Sequence, residues 1–288
     1  MKLPAIAGAV SALVLAASAP AAAAPAYDAC TGTIASLPAS ITTQGTWCLK
    51  KDLSTALASG YAISVDTNNV TIDCNGFKLG GLAAGAATQT QGIVSEDRAN
   101  VTVRDCRVRG FLRGIWLSGS KGGHLVEDTV VEGATHVGMI VEGSGSIVRR
   151  SRIVDTGGST HACCQGMATG LQTTGMVDIL DNTIAGVMPL DAGEWGSSNP
   201  VGILLTGGDG SRIIGNRVSD VVGTGVAVAT SIQLYQTQRV DVSRNFLLGG
   251  GYGVMCESTK SLVYDNHISG GYTLATWQCG GTGNQVVD

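Results

Sequence analysis

NVTVRDCRVRGFLRGIWLSG (residues 100–119) and HLVEDTVVEGATHVGMIVEG (residues 124–143) are one pattern written twice. Each copy holds a short alternating run, a polar pair, another apolar residue, a Gly-containing turn, and then Gly followed by a second alternating run. Alternation with period two is strand periodicity, so each copy reads as two or three short strands joined by turns. Position by position, Val103, Asp105, Cys106, Val108, Gly114 and Leu117 lie over Val126, Asp128, Thr129, Val131, Gly138 and Val141. Each copy is one rung of a ladder.

The ladder runs on to the C-terminal part of the chain. Its polar-pair positions are Cys106, Thr129, Ser151, Asn182, Asn216, Asn245 and Asn266, spaced between 21 residues (Asn245 to Asn266) and 34 (Asn182 to Asn216). An apolar residue precedes each (Val103, Val126, Val148, Ile179, Ile213, Val242, Val263), and another follows (Val108, Val131, Ile153, Ile184, Val218, Leu247, Ile268). The second strands also align, at Gly92, Gly114, Gly138, Gly170, Gly202, Gly225 and Gly253. A period of this size with strand alternation and no helical segment specifies an all-β solenoid. Its coils stack in parallel about 4.8 Å apart, so eight or so make a rod about 40 Å long. Stacked Asn side chains form an amide ladder and tolerate the left-handed backbone of a sharp corner, and the Gly before each second strand has the same backbone role.

Composition agrees. The chain has 42 Gly, 5% aromatic residues and a net charge of −4, which fits a turn-rich β protein and argues against nucleic acid as partner. Lys2, the apolar run 6–19 and Ala22-Ala23-Ala24 read as a signal peptide over 1–24, cleaved near Ala24. No later apolar run approaches the roughly 18 residues of a membrane span. The expectation is a secreted or periplasmic monomer with no transmembrane segment in its mature form. All eight cysteines (Cys30, Cys48, Cys74, Cys106, Cys163, Cys164, Cys256, Cys279) follow that site, and none has CxxC spacing, so they read as disulfide staples. Cys256 and Cys279 lie about one repeat apart and fasten the last coils; Cys163 and Cys164 pair with each other or with separate partners. Residues 25–60 form an N-terminal cap and opening segment with Trp47 as a lid, and 61–288 the solenoid.

With these repeats the chain resembles the right-handed parallel β-helix proteins, the broad group with the pectate-lyase-like fold. TTQGTWCLKKDL and NNVTIDCNGFKLGG, within residues 42–81, are similar to the opening coil of secreted bacterial members. The resemblance implies a right-handed parallel β-helix and a polysaccharide as partner; the group contains lyases, hydrolases, epimerases and non-catalytic binders. The NTD, DD, GHG and RIK segments of polygalacturonases and the Arg-x-Pro-x-x-Arg of pectate lyases are missing. No cofactor is expected; a divalent cation such as calcium has no motif to support it, since Gly207-Gly208-Asp209-Gly210 does not repeat.

What breaks the repeat then matters most. The turn before the second strand is short in RGFLRG, EGATHVG and SDVVGTG, but swells to TGGSTHACCQGMATG (156–170) and VMPLDAGEWGSSNPVG (187–202). Solenoid insertions gather on one face, often the binding face. These two hold His161, Asp191, Glu194 and Trp195, with His136 on the coil before. His161 and Glu194 suit acid–base work, Asp191 charge or cation binding, and Trp195 contact with a sugar ring. Arg104, Arg107, Arg109, Arg113, Arg149, Arg150 and Arg152 form a band that either holds an acidic glycan or pairs with neighbouring Glu and Asp, with Arg113 and His136 as binding candidates. Two readings stay open: an exported polysaccharide lyase or hydrolase with its cleft beside these loops, or a non-catalytic glycan-binding or cell-surface β-helix. A His161–Glu194 or His161–Asp191 pair in an open cleft favours the enzyme; loops closed over one another with Trp195 buried favour the binder.

Overall fold

The computed structural model describes residues 30–190, 199–224, 228–270 and 272–287. Its thirty strands form three parallel ten-stranded sheets, each strand hydrogen-bonded to its counterpart one coil away. This is a right-handed parallel β-helix of ten coils. One complete coil shows the plan: Val101–Arg104 in the first sheet, Arg107–Arg109 in the second, Arg113–Ser118 in the third, then Leu125–Glu127 back in the first. The ladder is already present near the start of the described residues, where Gly32–Ile34 pairs with Gly45–Leu49.

The expected inward columns are both present. Val103, Val126, Val148, Ile179, Ile213, Val242 and Val263 are in register down the first sheet, all fully buried. Val108, Val131, Ile153, Ile184, Val218, Leu247 and Ile268 do the same in the second. Trp47 heads the first column as the lid read from the sequence. It packs on the core, and its Nε1–H donates to the Thr43 carbonyl at 3.0 Å. Gly32 lies in register above it, and a Cβ there would meet the indole at 2.5 Å.

From Val101–Arg104 to His267–Ser269 the corner between the first and second sheets is two residues, as at 105–106, 181–182 and 244–245; the two coils before have corners of three residues (50–52) and four (74–77). The second is the ladder residue. Asn182 Oδ1 accepts the Ser151 amide at 2.9 Å, Asn216 Oδ1 the Asn182 amide, Asn245 Oδ1 the Asn216 amide, and Asn266 Oδ1 the Asn245 amide. Each of these Asn amides also donates to the next Asn oxygen, and Asn284 continues the run. The left-handed backbone, however, belongs to the residue before: Asp105, Asp128, Arg150, Asp181, Gly215, Arg244 and Asp265 have φ between 48° and 71°. The Asn residues are held instead by what their side chains bond. The repeated Gly of the third sheet also differs from expectation. Gly92, Gly114, Gly138, Gly170 and Gly202 have no positive φ; a Cβ on any of them would come within 2.2–2.8 Å of the carbonyl oxygen on the next coil. Close packing of adjacent backbones excludes a side chain there.

One strand is displaced from its expected place. The third-sheet strand after Gly202 is Thr230–Tyr235, with Ser231 at the Gly position, and not the run beginning at Gly225. Ile232 and Leu234 point inward, and Ser231 fits because its hydroxyl meets the Tyr272 hydroxyl at 2.8 Å. The Gly position of this coil therefore falls at residue 231 and not at 225.

All eight cysteines are paired: Cys30–Cys48, Cys74–Cys106, Cys163–Cys164 and Cys256–Cys279. Cys256–Cys279 ties the last coils as expected, and the adjacent pair closes on itself. Full pairing is the cysteine chemistry of a protein kept outside the reducing cytoplasm. Among the described residues no helix is long and apolar enough to cross a membrane. Residues 1–24, read as the signal peptide, lie outside the described residues.

Candidate functional site

The long turns leave the second sheet and enter the third, so they rise beside the outer face of the third sheet. On that face Trp116 lies in register between Val94 and Ile140. Val94, Ile140, Val137 and Val201 are buried, yet none belongs to the interior cluster. They make an apolar floor on the outside of the coil. Loop 157–168 closes on its edge. Gly157 and Ser159 donate to the Ala134 and Thr135 carbonyls at 2.8 and 3.0 Å, and Thr160 reaches back to the Ala86 carbonyl at 3.2 Å. The next long turn is fastened to it through Leu190 N–H and the Gln165 carbonyl, at 3.1 Å.

Buried polar groups gather where floor and loop meet. Arg113 is the first residue of its strand, in register with Gln91 on one side and Val137 on the other. Its guanidinium carbon lies 4.8 Å from the Trp116 ring centroid, close enough for a cation–π contact that orients the side chain. Burial holds its pKa below the ordinary Arg value. His136 sits one residue before Val137 and is 8% exposed. Its amide donates to the Leu112 carbonyl, and its carbonyl accepts from Thr169 N–H. Burial, with the nearby Arg113 charge second, presses its pKa down to about 4, so the imidazole is neutral at pH 7. Three side-chain atoms here are buried without a partner among the described residues: Arg113 Nε, His136 Nδ1 and Gln91 Oε1. Native interiors seldom leave such groups unmade, and Thr135 Oγ1 on the adjoining turn is unmade as well.

Of the residues singled out from the sequence, Arg113 and His136 come together here. His161 stands in the closing loop, half-buried, its Nδ1 accepting the Cys163 amide at 3.3 Å. Among the described residues no carboxylate pairs with it. Asp191, Glu194 and Trp195 lie outside the described residues. The arginine band divides. Arg104 binds Asp73, Arg149 binds Glu127, and Arg150 binds both Glu127 and Asp128, at 2.7–2.8 Å, while Arg109 meets Glu132 at 3.2 Å. Arg107 and Arg152 make no ion pair or side-chain hydrogen bond among the described residues. Trp116 and Gln91 were not anticipated. The available signal for Trp116 was a large aromatic at an outward place in GIWLSG, three residues after an Arg. No group of three or more His, Cys, Asp or Glu among the described residues is arranged to hold a metal ion.

Residues 113–288, more than half of the chain, match the family model for the right handed beta helix region. The chain belongs to this β-helix family. The β-helix is similar in fold to the Dettilon tailspike protein, with 16% identity and a TM-score of 0.53, over 88% of this chain and 53% of that one. A mutant tailspike protein of E. coli bacteriophage HK620 gives 11% identity and a TM-score of 0.52, over 88% and 57%. The A-module of the Azotobacter vinelandii mannuronan C-5 epimerase AlgE6 gives 13% and 0.48, over 92% of each chain. This β-helix thus spans little more than half the length of the two tailspikes. No curated protein matches it in sequence.

Proposed function

We propose that this is an exported β-helix protein that binds a polysaccharide on the outer face of its third sheet, with Arg113, Trp116 and His136 as the centre of contact. The observation that carries the reading is the set of unpartnered buried atoms on Gln91, Arg113 and His136 beside a half-exposed Trp. A sugar supplies what they lack: hydroxyls that both donate and accept, and an apolar ring face to lie against Trp116 and the Val94–Ile140 floor. Arg113 favours a glycan that bears carboxylates, which its guanidinium meets through two parallel hydrogen bonds. Export follows from the signal peptide over 1–24, cleaved near Ala24, and from the four disulfides.

A second reading rests on His136 itself. A neutral imidazole next to a guanidinium is the pair that β-elimination from a uronate requires, one to take the C5 proton and one to neutralise the carboxylate. His161, in the wall of the same face, is the alternative base, with Asp191 and Glu194 as the carboxylates that hydrolysis would use. The test is affinity electrophoresis of the secreted protein through gels containing polygalacturonate, alginate or dextran. Retardation by the acidic polymers is expected, with loss in Arg113→Gln and His136→Gln variants whose circular dichroism is unchanged. Unaltered retardation in both variants overturns the assignment. Release of unsaturated product by the wild type, read by near-ultraviolet absorbance, converts binder to lyase.

A further inference from the structure

We infer that the outer face of the second sheet is a separate track for an acidic polysaccharide lying along the rod axis. Down one outward column of that sheet stand Lys78, Arg107, Val130, Arg152, Thr183 and Arg217, each in register with the next. Arg107, Arg152 and Arg217 therefore occupy every second coil, about 9.6 Å apart for rungs of about 4.8 Å. All three are exposed. Arg107 and Arg152 have no carboxylate partner among the described residues. Arg217 lies 4.6 Å over the Phe246 ring, which fixes its stem and leaves its N–H edge free.

Self-pairing is the rule on the outer face of the first sheet. On the first sheet Asp73, Arg104, Glu127 and Arg149 follow one another in register with alternating sign, and Arg212 meets Asp178 at 2.6 Å. The second sheet breaks that rule along a groove of about 510 Å³ whose charged lining is Lys78, Arg107, Arg109, Arg152, Glu132 and Asp155. Arg109 takes up Glu132, and Lys78 takes up Asp52 at 3.5 Å. Arg107, Arg152 and, further along, Arg217 remain in a straight line without an ion pair among the described residues, beside Asp155 in the groove and with Asp52 in electrostatic reach of Arg107. A straight line of cations at a fixed interval fits a stiff linear polyanion, and one rung is close to the rise of one sugar in an extended glycan. A polyuronate can so place one carboxylate on each Arg, two sugars apart. The whole chain is acidic, with a net charge of −4, so the column is a local exception and not part of a general basic surface of the kind that nucleic acid requires.

The track is tested apart from the third-sheet site by footprinting. Arginines of the secreted protein are modified with phenylglyoxal, with and without polygalacturonate, and mapped by mass spectrometry. Protection of Arg107, Arg152 and Arg217 is expected, in the wild type and equally in Arg113→Gln, where the third-sheet site is damaged. The triple variant Arg107→Gln, Arg152→Gln, Arg217→Gln, judged folded by its unfolding midpoint, should bind polygalacturonate at least about tenfold more weakly at low salt. Galacturonate monomer should protect none of the three, because only a linked chain engages them together. Full reactivity of the three arginines under saturating polymer overturns the proposal. Equal protection by a single-stranded oligonucleotide of matched charge also overturns it, since the track would then read charge alone.

Discussion

The corner after the first sheet and the turn after the second sheet occur once in every coil and are built on opposite terms. From Val101–Arg104 to His267–Ser269 the corner is two residues long, and its buried amides are satisfied by the side chain one coil along. The turn ranges from 110–112 to 157–168 and beyond, and its amides find whatever carbonyl is near, as Thr160 finds Ala86. The corner keeps its two-residue length wherever it closes this hydrogen-bond network, and the longer corners at 50–52 and 74–77 lie before the network begins at Cys106. A turn that leaves the core by one strand and returns by the next accepts almost any length. Binding chemistry in such a rod accumulates where geometry is least constrained.

Breaking the corner should give the largest effect. In Asn216→Ala the Asn182 amide and side chain lose their acceptor, and the Ile179 carbonyl and Asn245 oxygen lose a donor. Several buried groups left unmade should cost about 4 kcal/mol in a urea titration. A loss under about 1 kcal/mol would show that water replaces the ladder and that corner and turn differ less than stated.

Acid probes the base of the turn. His136 is held at about 4 in the folded protein against an ordinary 6.5, so between those pH values the unfolded chain binds the proton and the folded chain does not. The stability present above pH 6.5 is lost as pH falls toward 4, by about 3 kcal/mol at most for that shift. His124 is buried with its pKa pushed the same way and adds to the slope. Unfolding free energies measured from pH 7 to 4 should fall in the wild type and less steeply in His136→Gln. Parallel curves would mean that His136 is hydrated and no buried base exists there.

The smallest effect belongs to the loop itself. A Gly-Ser insertion after the exposed Met167 should change the unfolding free energy by about 0.5 kcal/mol or less, the entropy of a slightly longer loop. A loss of several kcal/mol would show loop 157–168 to be a structural part of the coil.

The columns were legible because burial inside a coil repeats with the coil: Val103, Val126 and Val148 are alike for one physical reason. The ladder Asn residues could be found by the same periodicity, but their backbone could not. Asp181 and Asn182 are adjacent polar residues, and only the direction of the side-chain bonds tells which one turns left-handed. The shift from Gly225 to Ser231 was hidden because two alternating runs stand side by side. At the site, His136 and Arg113 could be named from residue type and place beside a long loop. Gln91 and Trp116 could not, because what distinguishes them is an outward position set by partners on neighbouring coils, and no local pattern records that. The division of the arginines was equally hidden: Arg149 and Arg152 are three residues apart, yet one faces a carboxylate column and the other does not.

The amide ladder also has a direction. From Cys106 to Asn266 every acceptor comes from the coil that follows: Thr129 serves Cys106, Ser151 serves Thr129, Asn182 serves Ser151, and so on to Asn284 serving Asn266. A chain leaving a ribosome or an export pore presents its N-terminal coils first. Each corner must therefore wait, with its amide unmet, until the next 18 to 34 residues have emerged. Assembly of this rod proceeds as a zipper whose closed end always trails the newest coil by one.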